Sequence, residues 1–289
     1  MHSAAGTGGR EPLAVKVPEI TFLFWVIKLL TTAGGEATSD YLALGSHVTG
    51  VAVETGLLVI GLIWQFRTRR YTAAAYWFLA YAIAIFGTGV SDTLHLTVGI
   101  PYSGTTLLWA IVLAGVFTVW YRSEGTLSIH SIVTRRREAF YWTTVFATFA
   151  LGTALGDLTA ITLHLGYFGS VVLFFVVIMI PAIAWRGFGL NAIVAFWSAY
   201  VVTRPLGASV ADYVSKSKSL SGVGFGDGTI NNFVHGSDII QLPKSQAANL
   251  HFSQSGANTM ITFNGDSTDA IALSNYSVGS LQASDFRFA

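Results

Sequence analysis

The chain contains no cysteine, which excludes disulfides, thiol nucleophiles and thiolate metal sites and leaves His, Asp, Glu and backbone oxygen as the available ligands. Charge is scarce too. Asp, Glu, Lys and Arg make up 11% of the 289 residues, against about 25% in a typical soluble domain. A formal net charge of +1 decides nothing about partners, and no nucleic-acid partner is expected. Residues 1–16 lack the apolar run of a cleavable signal peptide, so insertion is expected to be driven by the first spanning helix. Catalytic signatures are missing as well: there is no phosphate loop, dinucleotide fingerprint, zinc-protease helix or Ser–His pair within one apolar run, and no enzymatic activity is expected. What the chain has in excess is apolar: hydrophobic residues account for 52% of it.

Apolar stretches long enough to cross a bilayer, for which about 20 residues are needed, run over 20–42, 48–66, 72–95, 103–121, 139–163, 167–186 and 189–213. Lys and Arg sit at the N-terminus (Arg10, Lys16) and in the loops after the second, fourth and sixth stretches, while the loops after the first, third and fifth carry none. The positive-inside rule then places the N-terminus in the cytoplasm and everything after the seventh stretch outside. Seven of the eight tryptophans lie at the same, inner ends of their stretches, as an aromatic belt would, with Trp109 the exception.

A repeat underlies this pattern. Trp25, Trp77, Trp142 and Trp197 are each followed fifteen residues later by an aspartate: Asp40, Asp92, Asp157 and Asp212. Each Trp follows an aromatic residue, each Asp has a glycine five positions before it (Gly35, Gly87, Gly152, Gly207), and Ser, Gly or Ala precedes each Asp directly. The unit is a helical hairpin, complete three times; after Asp212 the second helix is missing, and the chain turns polar. Residues 215–228 read as a Ser-, Lys- and Gly-rich linker, and 229–289 as short strands between turns, among them Asp238–Leu242, Thr259–Phe263 and Ala270–Leu273. The fold class expected is an all-α polytopic membrane protein with seven transmembrane helices built from hairpin repeats. Residues 1–19 precede the helical domain at 20–214, and a small β segment ends the chain.

The phrases Lys16-Val-Pro-Glu-Ile-Thr, Gly152-Thr-Ala-Leu-Gly-Asp-Leu-Thr-Ala and Thr203-Arg-Pro-Leu-Gly-Ala-Ser-Val-Ala-Asp resemble a family of bacterial integral membrane proteins defined as repeats of unknown function, sometimes described as uncharacterised membrane-anchored proteins. The resemblance covers about residues 15–215 and implies four hairpins and no particular activity. The tail, from Asp227-Gly-Thr-Ile-Asn-Asn-Phe-Val-His-Gly to the final Ser280-Leu-Gln-Ala-Ser-Asp-Phe-Arg-Phe-Ala, resembles the C-terminal flank of RTX calcium-binding proteins. Gly222-Val-Gly-Phe-Gly-Asp-Gly-Thr-Ile approximates one calcium nonapeptide, so Asp227 is a candidate calcium ligand, with a calcium-free β cap the competing reading. Gly224-Phe-Gly-Asp227 also matches an intramembrane aspartyl-protease pattern, but in a polar linker with no span after it.

The ionisable residues inside the stretches are the candidates for function, because carboxylates and guanidinium groups are costly there. Asp40, Asp92, Asp157 and Asp212 share one depth, and the small residues one and five positions before each let helix backbones approach closely, which would bring the four into one cluster. The alternative is that each caps its own hairpin near the interface. Glu36 is added to the first repeat, where the others have Thr88, Thr153 and Ala208; Glu54 is likewise unique to that repeat, and the bases are Lys28 and Arg204. Arg204 is expected to pair with Glu36, Asp40 or Asp157. A path for a small cation or a proton through the six residues Asp40, Asp92, Asp157, Asp212, Glu36 and Arg204 is one reading, and a structural ion pair is the other. His95, three residues after Asp92, and His164, seven after Asp157, are possible metal ligands, each equally readable as an interfacial histidine. The expected location is the inner (plasma) membrane, the expected partner the lipid bilayer, and the expected role transport or export of a small cation or proton-coupled solute. The alternative role is a membrane anchor that presents the tail.

Overall fold

A computed structural model describes residues 15–43, 47–216, 222–223, 229–230, 233–242, 244–263 and 266–288. They divide into two compact units, Met1–His164 with Ser170–Ala211, and Leu165–Gly169 with Asp212–Ala289.

Among the described residues the chain forms seven α-helices: α1 Phe22–Ala43, α2 His47–Arg67, α3 Ala73–Asp92, α4 Tyr102–Glu124, α5 Arg135–Asp157, α6 Gly166–Phe188 and α7 Ala192–Ser215. Six of them, α2 to α7, are long and apolar enough to cross a bilayer, one fewer than the seven expected. The exception is α1, where Lys28, Glu36 and Asp40 interrupt the apolar run together with Thr31, Thr32 and the Gly34–Gly35 pair. These helices are compatible with a multi-pass membrane protein.

Two classes of helix are distinguished by burial. In α3, α5 and α7 the most apolar window is 56%, 72% and 56% buried, whereas in α2, α4 and α6 it is 22%, 17% and 17% buried. The first helix of each hairpin is therefore interior and the second lies on the outside, with α2 against α3 and α4 against α5. The repeat glycines carry the contacts between interior helices. A methyl group built at Gly35 would lie 2.3 Å from Ala84 Cβ, at Gly87 2.8 Å from Phe149 Cβ, at Gly152 2.0 Å from Arg204 Cγ, and at Gly207 2.3 Å from Thr32 Cγ2. Ala84, Phe149, Arg204 and Thr32 occupy one equivalent position, eight residues before the repeat aspartate. Each glycine thus receives that residue from the next repeat, and Gly207 of the fourth receives it from the first. The four helices α1, α3, α5 and α7 close into a ring.

The tryptophans depart from the belt expected of them. Trp142 and Trp197, with Trp120, are buried among Phe24, Tyr76, Tyr141 and Tyr200 in the main core cluster, against which Trp25 and Trp77 also pack. Of the aromatic residues before the repeat Trp, Phe24, Tyr76 and Tyr141 are buried and Phe196 is half-buried, and each indole meets its neighbour edge-on, in the pairs Phe24–Trp25, Tyr76–Trp77, Tyr141–Trp142 and Phe196–Trp197. Trp64 and Trp185, on the outer helices, are exposed. Lys16, counted in the sequence as an inner-face charge, is buried at the same end, with its ammonium on the Gln65 carbonyl and the Glu138 carboxylate.

In the second unit a four-stranded sheet has the order β1-β5-β4-β3, from β1 Thr229–Ile230, β3 Leu250–Ser255, β4 Asn258–Phe263 and β5 Asp266–Leu273, while β2 Ile240–Leu242 pairs in parallel with β6 Phe286–Phe288. Three of these strands were legible from their apolar runs. The polar β3 was not, because it lies at the sheet edge with almost every residue exposed. Phe233, Ile240, Leu242, Ile261 and Leu273 form the core.

At the end of this unit Asp285 is buried beside the His235 ring, with Oδ1 2.6 Å from Nδ1, and accepts the Gln282 backbone N–H at 2.9 Å. Burial opposes its ionisation, but the hydrogen bonds from the Gln282 backbone and His235, the His235 charge and the Gly236 backbone outweigh it and hold the carboxyl below its usual value. A carboxyl depressed in the folded state contributes stability that is complete above its unfolded pKa of ~3.9 and is lost as pH falls through the folded value. The β amide-I band of the full chain should therefore melt earlier below pH ~3.9 than at pH 6, and Asp285→Asn should flatten that dependence. An unaltered pH profile in the variant would assign the acid sensitivity elsewhere.

Candidate functional site

The ring interior is filled at its middle by one guanidinium. Arg204, from the centre of α7, is 0% exposed, and its donors are distributed over all three other ring helices. Nε donates to the Phe149 carbonyl of α5 at 3.1 Å and Nη1 to the Thr32 carbonyl of α1 at 3.1 Å. Nη2 donates to Glu36 Oε2 at 2.7 Å, to Thr153 Oγ1 at 2.9 Å and to the Thr88 hydroxyl of α3. Glu36 Oε2 also accepts from Thr88 at 2.8 Å and Thr153 at 3.1 Å. Of the three carboxylates that could have paired with Arg204, Glu36 carries the salt bridge.

Repeat geometry explains the selection. Glu36, Thr88, Thr153 and Ala208 are the residues four before each aspartate, one layer of the ring, and Arg204 reaches into that layer from the position eight before Asp212. Pro205, inside α7, follows Arg204 directly. A guanidinium is the group that can satisfy this many acceptors in fixed directions, and burial makes each bond electrostatically stronger than in water. Removal of either charge would strand the other in a low-dielectric interior.

The repeat aspartates sit one helical turn beyond the Glu36 layer. On an ideal helix a residue four positions back is turned by about 40° and one eight back by about 80°, so the aspartate falls on the flank of the face that carries Glu36 and Arg204. Asp40, Asp92 and Asp157 are accordingly half-buried, and the small residues just before them, Ser39, Ser91 and Gly156, are buried. Each of the three is held in a hydrogen-bonding or electrostatic interaction. Asp92 and Asp157 are the last α-helical residues before the π-helical turns 93–97 and 158–162. Asp212 belongs to the second unit, where it is buried 3.8 Å from Lys216. Glu54, on α2, accepts the Ser39 hydroxyl at 2.8 Å and lies so close to α3 that a methyl at Gly89 would be 2.1 Å from its Oε2.

Among the described residues neither histidine joins a group that could hold a metal ion. His95 bonds the Ile100 carbonyl through Nδ1 at 2.8 Å and stacks on Tyr102 with centroids 3.6 Å apart, bracing its turn, while His164 is exposed with a φ of 55°. Among the described residues no group of three His, Asp or Glu side chains could hold a metal. Asp227 lies outside the described residues, as do residues 224–228 of the calcium-like stretch.

Sequence reasoning underrated Lys28. It occupies the position twelve before Asp40, where the other repeats have Ala80, Val145 and Tyr200, and alignment of the repeats at that position marks it as an added charge. Its side chain is buried with Nζ 4.0 Å from the centroid of the Tyr200 ring and 4.4 Å from that of Phe149. The Arg204 guanidinium lies 4.6 Å from the same Phe149 ring.

No curated protein and no solved structure matches the chain. The family model of the Repeat of Unknown Function (DUF347) matches residues 23–71, 75–126, 140–189 and 195–231. The first three segments each hold one inner and one outer helix of the ring architecture, and the fourth holds α7. With its four matched segments covering well over half of its length, the chain belongs to the DUF347 repeat family.

Proposed function

We propose that the helical unit is a plasma-membrane transporter in which Glu36 is the group that exchanges a proton or small cation and Arg204 is its resident counter-charge. The observation that carries this reading is the Glu36–Arg204 pair, 2.7 Å apart and buried in the middle of a ring of four helices. A pure scaffold has no use for such a pair, since well-packed apolar residues of the same volume are often as stable or more so. A carboxylate held by one guanidinium and two hydroxyls has two alternative partners: Arg204, or a proton or cation that releases it. Asp40, Asp92 and Asp157, flanking the ring about one helical turn beyond the Glu36 layer, supply the outer relay in this reading. The N-terminus is placed in the cytoplasm and the tail outside, where calcium at Asp227 would be available to it.

The test uses the purified protein in proteoliposomes carrying an imposed pH gradient and a lumenal pH dye. Sodium, potassium, magnesium and acetate salts are added in turn. At least one should dissipate the gradient in the wild type, with a loss of at least about tenfold in Glu36→Gln, the size of effect expected when one proton-carrying group is removed. If no species moves protons through the wild-type protein, transport is rejected and the membrane-anchor reading stands.

A further inference from the structure

The ring interior holds a second basic residue beside the Glu36–Arg204 pair. Lys28 is 2% exposed and Thr32, one turn further along α1, is 0% exposed. Lys28 Nζ and Thr32 Oγ1 are both buried without a hydrogen-bond partner among the described residues. The charged neighbour that acts electrostatically on Lys28 is Arg204, another cation, and both flank the Phe149 ring. Glu36 Oε2 already accepts from Arg204, Thr88 and Thr153. Two aromatic rings attract an ammonium but accept none of its three N–H bonds. An ammonium and a hydroxyl on the same face of one helix, both unsatisfied and both shielded from water, are the donor set of an anion site.

We propose that Lys28 and Thr32 bind a small anion, either an inorganic anion such as chloride or the carboxylate group of an organic solute, and that this anion is a substrate of the carrier. The ammonium supplies the charge, the Thr32 hydroxyl a second donor, and the rings of Phe149 and Tyr200 the apolar walls that exclude water and strengthen both bonds. Arg204, fully engaged by Glu36 and two backbone carbonyls, sets the positive potential of the layer. The inference deepens the transport reading by naming the class of solute, and it stands on the two unpartnered donors rather than on proton exchange at Glu36.

Calorimetric titration of the detergent-solubilised wild type with sodium chloride and with sodium acetate, at constant ionic strength made up with the bulky organic sulfonate MES, tests the site directly. Saturable heat with chloride but not acetate assigns an inorganic anion; saturable heat with acetate assigns a carboxylate solute. Either anion should also raise the melting temperature of the wild type, Lys28→Met should lose that shift, Lys28→Arg should recover part of it, and Thr32→Val should weaken it. Absence of saturable binding of both anions to the wild type overturns the proposal whatever the variants do. So does a shift that survives in Lys28→Met, or a Lys28→Met protein that is more stable than the wild type and equally indifferent to anions, since Lys28 is then a neutral amine. Anion binding without proton flux in proteoliposomes would retain the site but overturn the anion's role as a substrate, along with transport; flux without anion binding would retain transport and overturn the site.

Discussion

Arg204→Ala is expected to destabilise the helical unit by about 3–5 kcal/mol, the cost of breaking a buried ion pair by removing one partner. The alanine leaves Glu36 charged in the ring interior and withdraws donors from the carbonyls of Phe149 and Thr32 as well as from two threonine hydroxyls. It also empties the volume that Arg204 Cγ fills against Gly152. Unfolding by SDS in mixed micelles measures the effect. Arg204→Lys should recover only part of the loss, because an ammonium is a point charge and cannot reach acceptors on three helices in the fork geometry of a guanidinium. The double variant Glu36→Leu/Arg204→Leu should lie closer to the wild type than Arg204→Ala does, since no charge is then stranded. An Arg204→Ala protein within about 1 kcal/mol of wild type would contradict the bonding described, because that is the range of an ordinary surface substitution or single neutral hydrogen bond.

The ring glycines give the second large effect. Alanine at Gly35, Gly87, Gly152 or Gly207 would place its methyl between 2.0 and 2.8 Å from an atom of the neighbouring ring helix, closer than any real contact. Each substitution should cost about 1–3 kcal/mol through forced separation of the helices. The costs should be largest at Gly152, where the displaced atom belongs to Arg204, and there the proton or ion movement proposed for Glu36 should fall as well. Gly56 and Gly115 serve as controls: an added methyl meets nothing within 4 Å at either. Alanine there should be neutral or should gain up to about 1 kcal/mol from better helix propensity. Equal responses at ring and control glycines would mean that the four helices are not closed as described.

Both predictions draw on features that differ in how openly the sequence declares them. The helices, their hairpin repeat and the special status of the glycine five before each aspartate are visible in the chain, because hydropathy and a fixed spacing are one-dimensional properties. The need of Arg204 for a carboxylate was equally visible, since an unpaired guanidinium is costly inside an apolar stretch. The choice of Glu36 over Asp40 and Asp157 was not. It depends on which face of each helix the neighbours turn inward, and a shift of one residue rotates a side chain by about 100°. The same phase angle sent Trp142 and Trp197 into the core instead of to an interfacial belt, and left the aspartates on the flanks of the ring face.

The repeat also concealed what it equated. Alignment of the four units at the aspartate makes Thr32, Ala84, Phe149 and Arg204 interchangeable, yet in the ring they are four walls of one layer, each packed on a different glycine. Asymmetry inserted into that layer and its neighbours, Lys28 and Glu36 from the first repeat and Arg204 from the last, is brought together only when the fourth helix closes on the first. By itself the sequence determined the apolar character of the chain, the hairpin as its unit and the residues too polar for their surroundings. Closure of the ring decided which of them meet. Pairing across 168 residues, from Glu36 to Arg204, follows from the packing of helix faces in three dimensions, and no local propensity records it.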